Sequence, residues 1–128
     1  MGILCGVDIV EVDRIRHSLE KLGESFKSKV FTAREVEYCE NKKAAKYQSY
    51  AARFAAKEAV SKAFGTGIGE KIGWKDIEVV NDADGKPYVE LSDKGKEFLA
   101  TLNASSISLS LSHCKSYAVA YAIIEVRE

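Results

Sequence analysis

The stretch from Arg53 to Gly69, RFAAKEAVSKAFGTGIG, constrains the fold more strongly than any other part of the chain. Alanine and other good helix formers dominate it, and the same kind of sequence extends back towards Ala45. Gly65 is the residue type at which helices commonly end in a left-handed conformation. We therefore expect one long helix from about Ala45 to Phe64, followed by a glycine-rich loop.

The segments on both sides of this helix predict a mixture of strands and shorter helices. Apolar, β-branched runs are typical of strands, and hydroxyl or acidic residues before a helical pattern are typical of helix caps. The expected strands are Ile3–Val12, Asp76–Asn81, Tyr88–Leu91, Ser106–His113 and Tyr117–Val126. The expected shorter helices are Arg14–Leu22 after a cap at Asp13, one from a capping box at Thr32 to about Asn41, and one from a cap at Ser92 or Asp93 to about Leu102. This order of elements predicts a single α+β domain over 1–128, with a mostly antiparallel sheet packed against helices.

Composition and charge argue against several classes of function. The 19 basic residues balance the 19 acidic ones, unlike the charge of a typical nucleic-acid-binding domain. Cys5, Cys39 and Cys114 form no C-x-x-C pair, so we expect free thiols in a reducing cytoplasm. We also expect no signal peptide, because the first residues lack a basic region, and no apolar run reaches the length of a membrane span. The sequence therefore predicts a cytoplasmic protein with neither nucleic acid nor a membrane as its partner.

Two carboxylates and a lysine form the strongest candidate site. Glu58 and Lys62 are four residues apart and share one face of the predicted helix, with Arg53 and Lys57 in the adjacent column. Asp8 interrupts a strand that otherwise resembles protein core, where a carboxylate is costly unless it is paired, hydrogen-bonded or bound to a metal. Mg²⁺ combines few protein oxygens with substrate phosphates, so Asp8 and Glu58 suit Mg²⁺ while Lys62 neutralises phosphate. The alternatives are a solvated helix face for the charged helix residues and, for Asp8, a salt bridge or exposure at the strand end.

Five segments occur in a characteristic order along almost the whole chain. They are GVDIVEV at Gly6–Val12, FTAREVEYC at Phe31–Cys39, RFAAKEAVSKAFGTG at Arg53–Gly67, NDADGKPYVEL at Asn81–Leu91 and SLSLSHCKSYAVAYAI at Ser108–Ile123. Together they resemble the holo-acyl-carrier-protein synthases, the small class of 4'-phosphopantetheinyl transferases. The resemblance implies transfer of the phosphopantetheine group from coenzyme A to a serine of an apo-acyl carrier protein, with release of adenosine 3',5'-bisphosphate.

The resemblance also implies roles for individual residues. Asp8, Glu58 and Lys62 are the catalytic set: the two carboxylates hold Mg²⁺ or Mn²⁺, and Lys62 stabilises charge on the diphosphate. The serine proton passes either to Glu58 or to a metal-bound water, and the sequence leaves both open. The coenzyme A groove is formed by Arg53, Lys62, Gly65, Thr66, Gly67, Pro87 and His113, of which His113 binds a phosphate.

The segment from Arg14 to Lys29 is locally basic, with five basic residues against two acidic ones in a chain of zero net charge. Since acyl carrier proteins are acidic, we expect the carrier to dock there, mainly on Arg14 and Lys21. The resemblance further implies a homotrimer with active sites between subunits. Such a trimer would bury apolar strand faces such as SISLSLS at 106–112.

Two other functions fit part of these observations. A non-catalytic nucleotide-binding module would use the basic groove without needing both carboxylates. A Mg²⁺-dependent phosphohydrolase would use both carboxylates, with water in place of the serine hydroxyl.

Overall fold

The computed structural model describes residues 2–127 and has the α+β architecture expected from the sequence. Its strands are β1 (Gly2–Glu11), β2 (Ile77–Asn81), β3 (Pro87–Leu91), β4 (Ala104–His113) and β5 (Tyr117–Val126). Its α-helices are α1 (Val12–Leu22), α2 (Glu24–Val30), α3 (Ala33–Glu40), α4 (Lys46–Phe64) and α5 (Asp93–Thr101), and short 3₁₀ helices occupy Lys43–Ala45 and Trp74–Asp76. Strands β1, β5 and β4 form an antiparallel sheet in that order, and β2 pairs with β3 in an antiparallel hairpin. Within residues 2–127, no helix combines the length and the apolar character needed to cross a bilayer.

Helix α4 packs across the three-stranded sheet, mainly against β1 and β5. Gly6 allows the close approach, because a β carbon at this position would collide with the carbonyl oxygen of Ala59 and lie 2.7 Å from the backbone nitrogen of Ala63. Both alanines are buried. The crossing at Gly6 therefore fixes where the next residues of β1 lie relative to the second half of α4.

The helix boundaries confirm most of the sequence predictions and correct two. Thr32 and Glu35 form the predicted capping box, and the Ser92 hydroxyl accepts a hydrogen bond from the backbone of Gly95 at the start of α5. The predicted cap at Asp13 is wrong, since α1 begins at Val12, two residues before the predicted start at Arg14, and its N-cap residue is Glu11. The backbone nitrogen of Val12 donates to the Ser116 carbonyl at 2.8 Å, so a tertiary bond from the β4–β5 turn replaces a side-chain cap.

Helix α2 is the second difference, because no element was predicted at Glu24–Val30. It begins directly after Gly23, whose φ of 55° allows α1 to end and α2 to start within one residue. Phe26 of α2 packs against Phe31 and Phe54, with ring centroids 6.1 and 6.4 Å away. Tertiary packing of one aromatic ring thus holds a helix too short to be stable alone.

A buried ion pair connects α4 to the rest of the domain. The Nζ atom of Lys57 lies 2.7 Å from Oε1 of Glu35, and both side chains are fully excluded from solvent. Lys57 also donates to the carbonyls of Trp74 and Ile77, while Glu35 accepts from the backbone nitrogens of Thr32 and Val79. The solvated face expected as an alternative is therefore wrong for Lys57, and this lysine is not available to phosphate.

The outer face of the three-stranded sheet is apolar and exposed. Its large exposed side chains are Ile3, Val7, Ile9, Tyr117, Tyr121 and Ile123, all on β1 and β5. The apolar face of SISLSLS at 106–112 was expected to pack between subunits. In the structure, Ile107, Leu109 and Leu111 of β4 instead pack half-buried against the core of their own chain, and the serines between them face solvent. The alternation of β4 places its apolar side chains inwards.

Candidate active site

Asp8 lies on β1 two residues after the crossing with α4. It pairs with Ala120 of β5, and β1 has no second neighbour in its sheet among the described strands. The carboxylate is mostly shielded, with 17% of the side chain exposed, and its Oδ1 atom lies 3.0 Å from Nζ of Lys62. The same ammonium donates to the carbonyl of Val7 at 3.0 Å. The salt bridge considered for Asp8 is thus present, and its partner is the lysine predicted for the site.

Glu58 occupies α4 one turn before Lys62 and is half-buried. Burial and then the negative charge of Asp8 raise the pKa of the Glu58 carboxyl above its usual value, while Lys62 and Arg14 act in the opposite direction. Asp8, Glu58, Lys62 and Arg14 therefore share one electrostatic environment, although they come from β1, α4 and α1. We call Asp8, Glu58 and Lys62 the carboxylate–lysine cluster.

The donor set of this cluster fits Mg²⁺. Residues 2–127 contain no group of three or more His, Cys, Asp or Glu side chains arranged for a metal ion. Mg²⁺ does not require such a group, since it usually binds one or two carboxylates and keeps water and substrate oxygens as its other ligands. The ammonium of Lys62 already places a cation against Asp8, which shows that positive charge is favourable at this point. Asp8 and Glu58 are the residues that would hold the ion.

A separate cleft of about 410 Å³ brings together three of the residues predicted to bind coenzyme A. Arg53, Pro87 and His113 line it, although they come from α4, β3 and the end of β4. The sequence analysis missed Tyr38, Lys42 and Asn81, which also line the cleft. The sequence signals for these three were the basic Lys42–Lys43 pair and the positions of Tyr38 and Asn81 within family-like segments.

Arg53 is the main cation of this cleft and is 97% buried, since only 3% of it is exposed. Its guanidinium stacks over the Tyr38 ring at 3.9 Å and donates to Asn81 and to the Ser49 hydroxyl. Its Nε atom is buried and has no hydrogen-bond partner within the described residues. A buried guanidinium with one free donor is suited to an anionic ligand such as phosphate.

The predicted glycine loop follows Lys62 at the end of α4 and is not among the residues that line the cleft. Gly65 ends the helix with φ of 82°, and Gly67 also has a positive φ of 66°. The backbone nitrogens of Thr66 and Gly67 both donate to the Ser61 carbonyl, so the loop turns tightly back on the helix. The predicted coenzyme A residues thus fall into two groups, one near Lys62 and one in the cleft.

Helical geometry explains why one chain separates these two groups. Arg53 and Glu58 are five residues apart, which rotates them by roughly 140° around α4. The cleft and the carboxylate–lysine cluster therefore lie on different sides of the same helix. Because α4 is alanine-rich all round, both sides can pack closely against neighbouring elements.

The two residues predicted to bind a protein partner lie on α1. Arg14 and Lys21 are exposed and seven residues apart, which places them on one face of the helix. Arg14 is near enough to Glu58 to affect its pKa, and Lys21 lies in the last turn. A basic helix face therefore begins beside the carboxylate–lysine cluster.

Comparison with known proteins assigns the chain to a family. Residues 4–122 match the family model of the 4'-phosphopantetheinyl transferase superfamily. A holo-[acyl-carrier-protein] synthase of Ruminiclostridium cellulolyticum is 61% identical over 126 residues, which cover 98% of this chain and 94% of that protein. The chain belongs to the 4'-phosphopantetheinyl transferase superfamily, and the resemblance found in the sequence is confirmed.

Solved structures agree with this assignment. The Helicobacter pylori holo-[acyl-carrier-protein] synthase in complex with coenzyme A superimposes with a TM-score of 0.85 at 30% identity, over 95% of this chain and all of that one. The enzyme from Bacillus anthracis, also described in complex with coenzyme A, gives a TM-score of 0.80 at 37% identity over 97% and 96% of the two chains. Within the superfamily, this phosphopantetheinyl transferase is thus similar to the holo-[acyl-carrier-protein] synthases in sequence and in fold.

Proposed function

We propose that this enzyme transfers 4'-phosphopantetheine from coenzyme A to the serine hydroxyl of an apo-acyl carrier protein and releases adenosine 3',5'-bisphosphate. The observation that carries the proposal is the carboxylate–lysine cluster, in which Asp8 and Glu58 meet Lys62 at the crossing of β1 and α4. Phosphoryl transfer needs charge neutralisation and positioning more than covalent chemistry, and this cluster supplies both.

Asp8 and Glu58 hold Mg²⁺ in this proposal. When bound, Mg²⁺ or Mn²⁺ supplies neutralisation of the negative charge on the diphosphate. Lys62 donates to the diphosphate oxygens as the bond to the nucleotide breaks. Glu58 is this chain's own candidate for accepting the proton of the attacking serine.

The nucleotide end of coenzyme A binds the cleft in this proposal. The buried Arg53 and the neighbouring His113 bind its phosphate, and Pro87 forms part of the wall. The loop at Gly65–Gly67 lies beside Lys62 and leaves room for the rest of the coenzyme because it carries almost no side chains. Because the nucleotide end of coenzyme A lies in the cleft and its diphosphate lies at the carboxylate–lysine cluster, a cleft and a cluster must come together in one active site.

A homotrimer provides that arrangement. We propose that the exposed apolar face on β1 and β5 packs against neighbouring subunits, so that each active site forms from the cluster of one subunit and the cleft of the next. Six large apolar side chains on one sheet face are more than a monomer normally exposes in one place. The acidic carrier protein then docks on Arg14 and Lys21, next to Glu58.

A substitution at Glu58 separates transfer from binding. We expect Glu58→Gln to lower the transfer rate at least about 100-fold, because the amide neither neutralises a cation nor accepts the serine proton. Coenzyme A should still bind the cleft with its affinity reduced by less than about tenfold. Turnover is measured by separating holo from apo carrier protein, and binding by titration calorimetry.

The same experiment distinguishes the rival functions. Equal turnover of Glu58→Gln and the native enzyme would remove the proposed role of Glu58. A nucleotide-binding module would bind coenzyme A and give no product at all. A phosphohydrolase would release adenosine 3',5'-bisphosphate just as fast when the target serine of the carrier is replaced by alanine.

A further inference from the structure

The ammonium group of Lys62 lies against Asp8, where a metal cation could also bind. Its Nζ atom donates to Oδ1 of Asp8 and to the Val7 carbonyl, each at 3.0 Å. The two oxygens belong to consecutive residues of β1 and are hard donors of the kind that divalent cations bind. One ammonium therefore satisfies a pair of oxygens that a metal ion would also use.

Glu58 stands beside this pair without an ion-pair partner of its own within residues 2–127. The ammonium of Lys62 bonds to Asp8 even though Glu58 lies one helical turn away on the same helix. An ion that binds both carboxylates therefore competes with Lys62 for Asp8. Half of the Lys62 side chain is exposed, so the ammonium can leave Asp8 without disturbing the core.

We propose that Lys62 is an exchangeable counter-ion: in the free enzyme it neutralises Asp8 and competes with the divalent cation, and it releases Asp8 when its ammonium moves to the diphosphate of coenzyme A. This inference rests on the proposed function, because it takes Asp8 and Glu58 as the metal ligands. It adds that metal and coenzyme A bind cooperatively, and that the free enzyme binds metal weakly. The coupling is reciprocal, as linkage requires for two ligands that act on one group.

Binding of Mn²⁺ to the free protein tests the exchange without any catalysis. The probe is Mn²⁺ alone, with the unbound ion measured by electron paramagnetic resonance during titration of the full chain. We expect Lys62→Met to bind Mn²⁺ about five-fold more tightly than the native protein, since an exposed ion pair contributes up to about that factor. Lys62→Arg keeps the cation and should bind Mn²⁺ no more tightly than the native protein.

Arg14→Met is the matched control. Arg14 is also an exposed cation that acts on Glu58, but it makes no bond to Asp8 within residues 2–127. If contact with Asp8 matters, Arg14→Met changes Mn²⁺ affinity less than two-fold. In an Asp8→Asn background, Lys62→Met should likewise have no effect, because the counter-ion has lost its carboxylate.

Coenzyme A provides the second readout. In the native protein, saturating coenzyme A should raise the affinity for Mn²⁺ more than it does in Lys62→Met, after correction for Mn²⁺ bound by free coenzyme A. Thermal unfolding of each variant, measured by circular dichroism, verifies that the compared proteins are folded.

The outcomes separate this inference from the proposed function. Equal Mn²⁺ affinities of the native protein and Lys62→Met overturn the exchange, and the proposed function stands if the native enzyme still needs Mg²⁺ for transfer. Equal effects of Lys62→Met and Arg14→Met also overturn it, because general charge would then explain the result. Absence of Mn²⁺ binding in every variant, with and without coenzyme A, overturns both the exchange and the assignment of Asp8 and Glu58 as ligands.

Discussion

At the scale of the residue, Gly6 decides whether the carboxylate–lysine cluster can form. It has no side chain of its own in the site, yet the backbone of α4 lies where its β carbon would be. Asp8 follows two residues later on the same strand, so the spacing between β1 and α4 sets the distance from Asp8 to Lys62. The close packing of α4 thus explains why a glycine, rather than a residue with a side chain, precedes Val7 and Asp8 in the G-V-D motif.

Gly6→Ala tests this steric role. The added methyl must push β1 away from Ala59 and Ala63, and overpacking of this kind costs about 2 kcal/mol of unfolding free energy. We also expect the transfer rate to fall, because Asp8 moves with the strand. Chemical denaturation and a transfer assay measure the two effects.

Gly2→Ala is the control, since a β carbon at this position would meet no described atom within 4 Å apart from those of Gly2 itself and its chain neighbours. Its unfolding free energy should stay within about 0.5 kcal/mol of the native value. Native-like stability of Gly6→Ala would show that α4 can shift at no cost.

The structure brings together Asp8, Glu58 and Lys62, which the sequence pattern had grouped, and their catalytic roles stay predictions. The expectation for Lys57 was wrong. The spacing of Glu58 and Lys62 follows from helical geometry alone, and Asp8 was conspicuous as a charge within an apolar strand. Lys57 was misjudged because α4 is alanine-rich on every side, so its hydrophobic pattern marks no solvent face. Glu35 is the long-range partner of Lys57, and the sequence indicated only its role in the capping box.

At the scale of the element, the ion pair of Lys57 and Glu35 holds α4 in register with α3 and β2. The bonds from Lys57 to Trp74 and Ile77 reach the start of β2, and the end of β2 provides Asn81, the partner of Arg53. One buried pair therefore supports both sides of α4. Neither Lys57 nor Glu35 lines the cleft or belongs to the carboxylate–lysine cluster.

Lys57→Met should be strongly destabilising. It leaves Glu35 as a buried carboxylate without a counter-ion, and breaking a buried pair in this way costs roughly 3–5 kcal/mol. Urea denaturation measures the loss. Lys71→Met, at an exposed lysine outside any ion pair of the described residues, should change stability by less than about 0.5 kcal/mol.

Replacing both partners by apolar residues provides the complementary test. Glu35→Leu combined with Lys57→Met removes the uncompensated charge and should recover much of the lost stability. A double variant that is no more stable than Lys57→Met alone would mean that the backbone hydrogen bonds, rather than the charge pair, dominate this site.

Element boundaries followed from the sequence wherever the signal was local. The capping box at Thr32, the cap at Ser92 and the glycine ends of α1 and α4 are local signals and were predicted correctly. The start of α1 depends on the hydrogen bond that the backbone nitrogen of Val12 donates to the Ser116 carbonyl, and α2 depends on the packing of Phe26 against α4. Both contacts join residues far apart in the sequence, so no local pattern reveals them.

At the scale of the whole molecule, the separation of cleft and cluster is the strongest argument for the proposed trimer. A single chain places Arg53 and Glu58 on different sides of one helix, whereas in the proposed function coenzyme A reaches both. The sequence could not predict which strands form the exposed apolar face, because apolar and small or polar side chains alternate along β1, β4 and β5 alike. Only the pairing of strands shows that β4 turns its apolar residues inwards and that β1 and β5 leave theirs exposed.

Tyr121→Glu tests the trimer. Tyr121 lies on β5 in the exposed apolar face, and a carboxylate there would be buried unpaired in an interface. We expect sedimentation velocity to show three chain masses for the native protein and one for the variant, with transfer activity lost in parallel. Tyr88→Glu, an equally exposed tyrosine on β3, should keep the native mass. A monomeric native enzyme with full activity would contradict the proposed assembly.

In the proposed function, the enzyme joins phosphopantetheine to a carrier protein in a metal-dependent reaction. The most direct measurement is the intact mass of an apo-acyl carrier protein after incubation with the enzyme, coenzyme A and Mg²⁺, beside the same mixture with a chelator. We predict a gain of one phosphopantetheine group that disappears with the chelator and with a carrier whose target serine is replaced by alanine. An unchanged carrier mass across fatty-acid and polyketide carriers, or a gain that the chelator leaves intact, would contradict it.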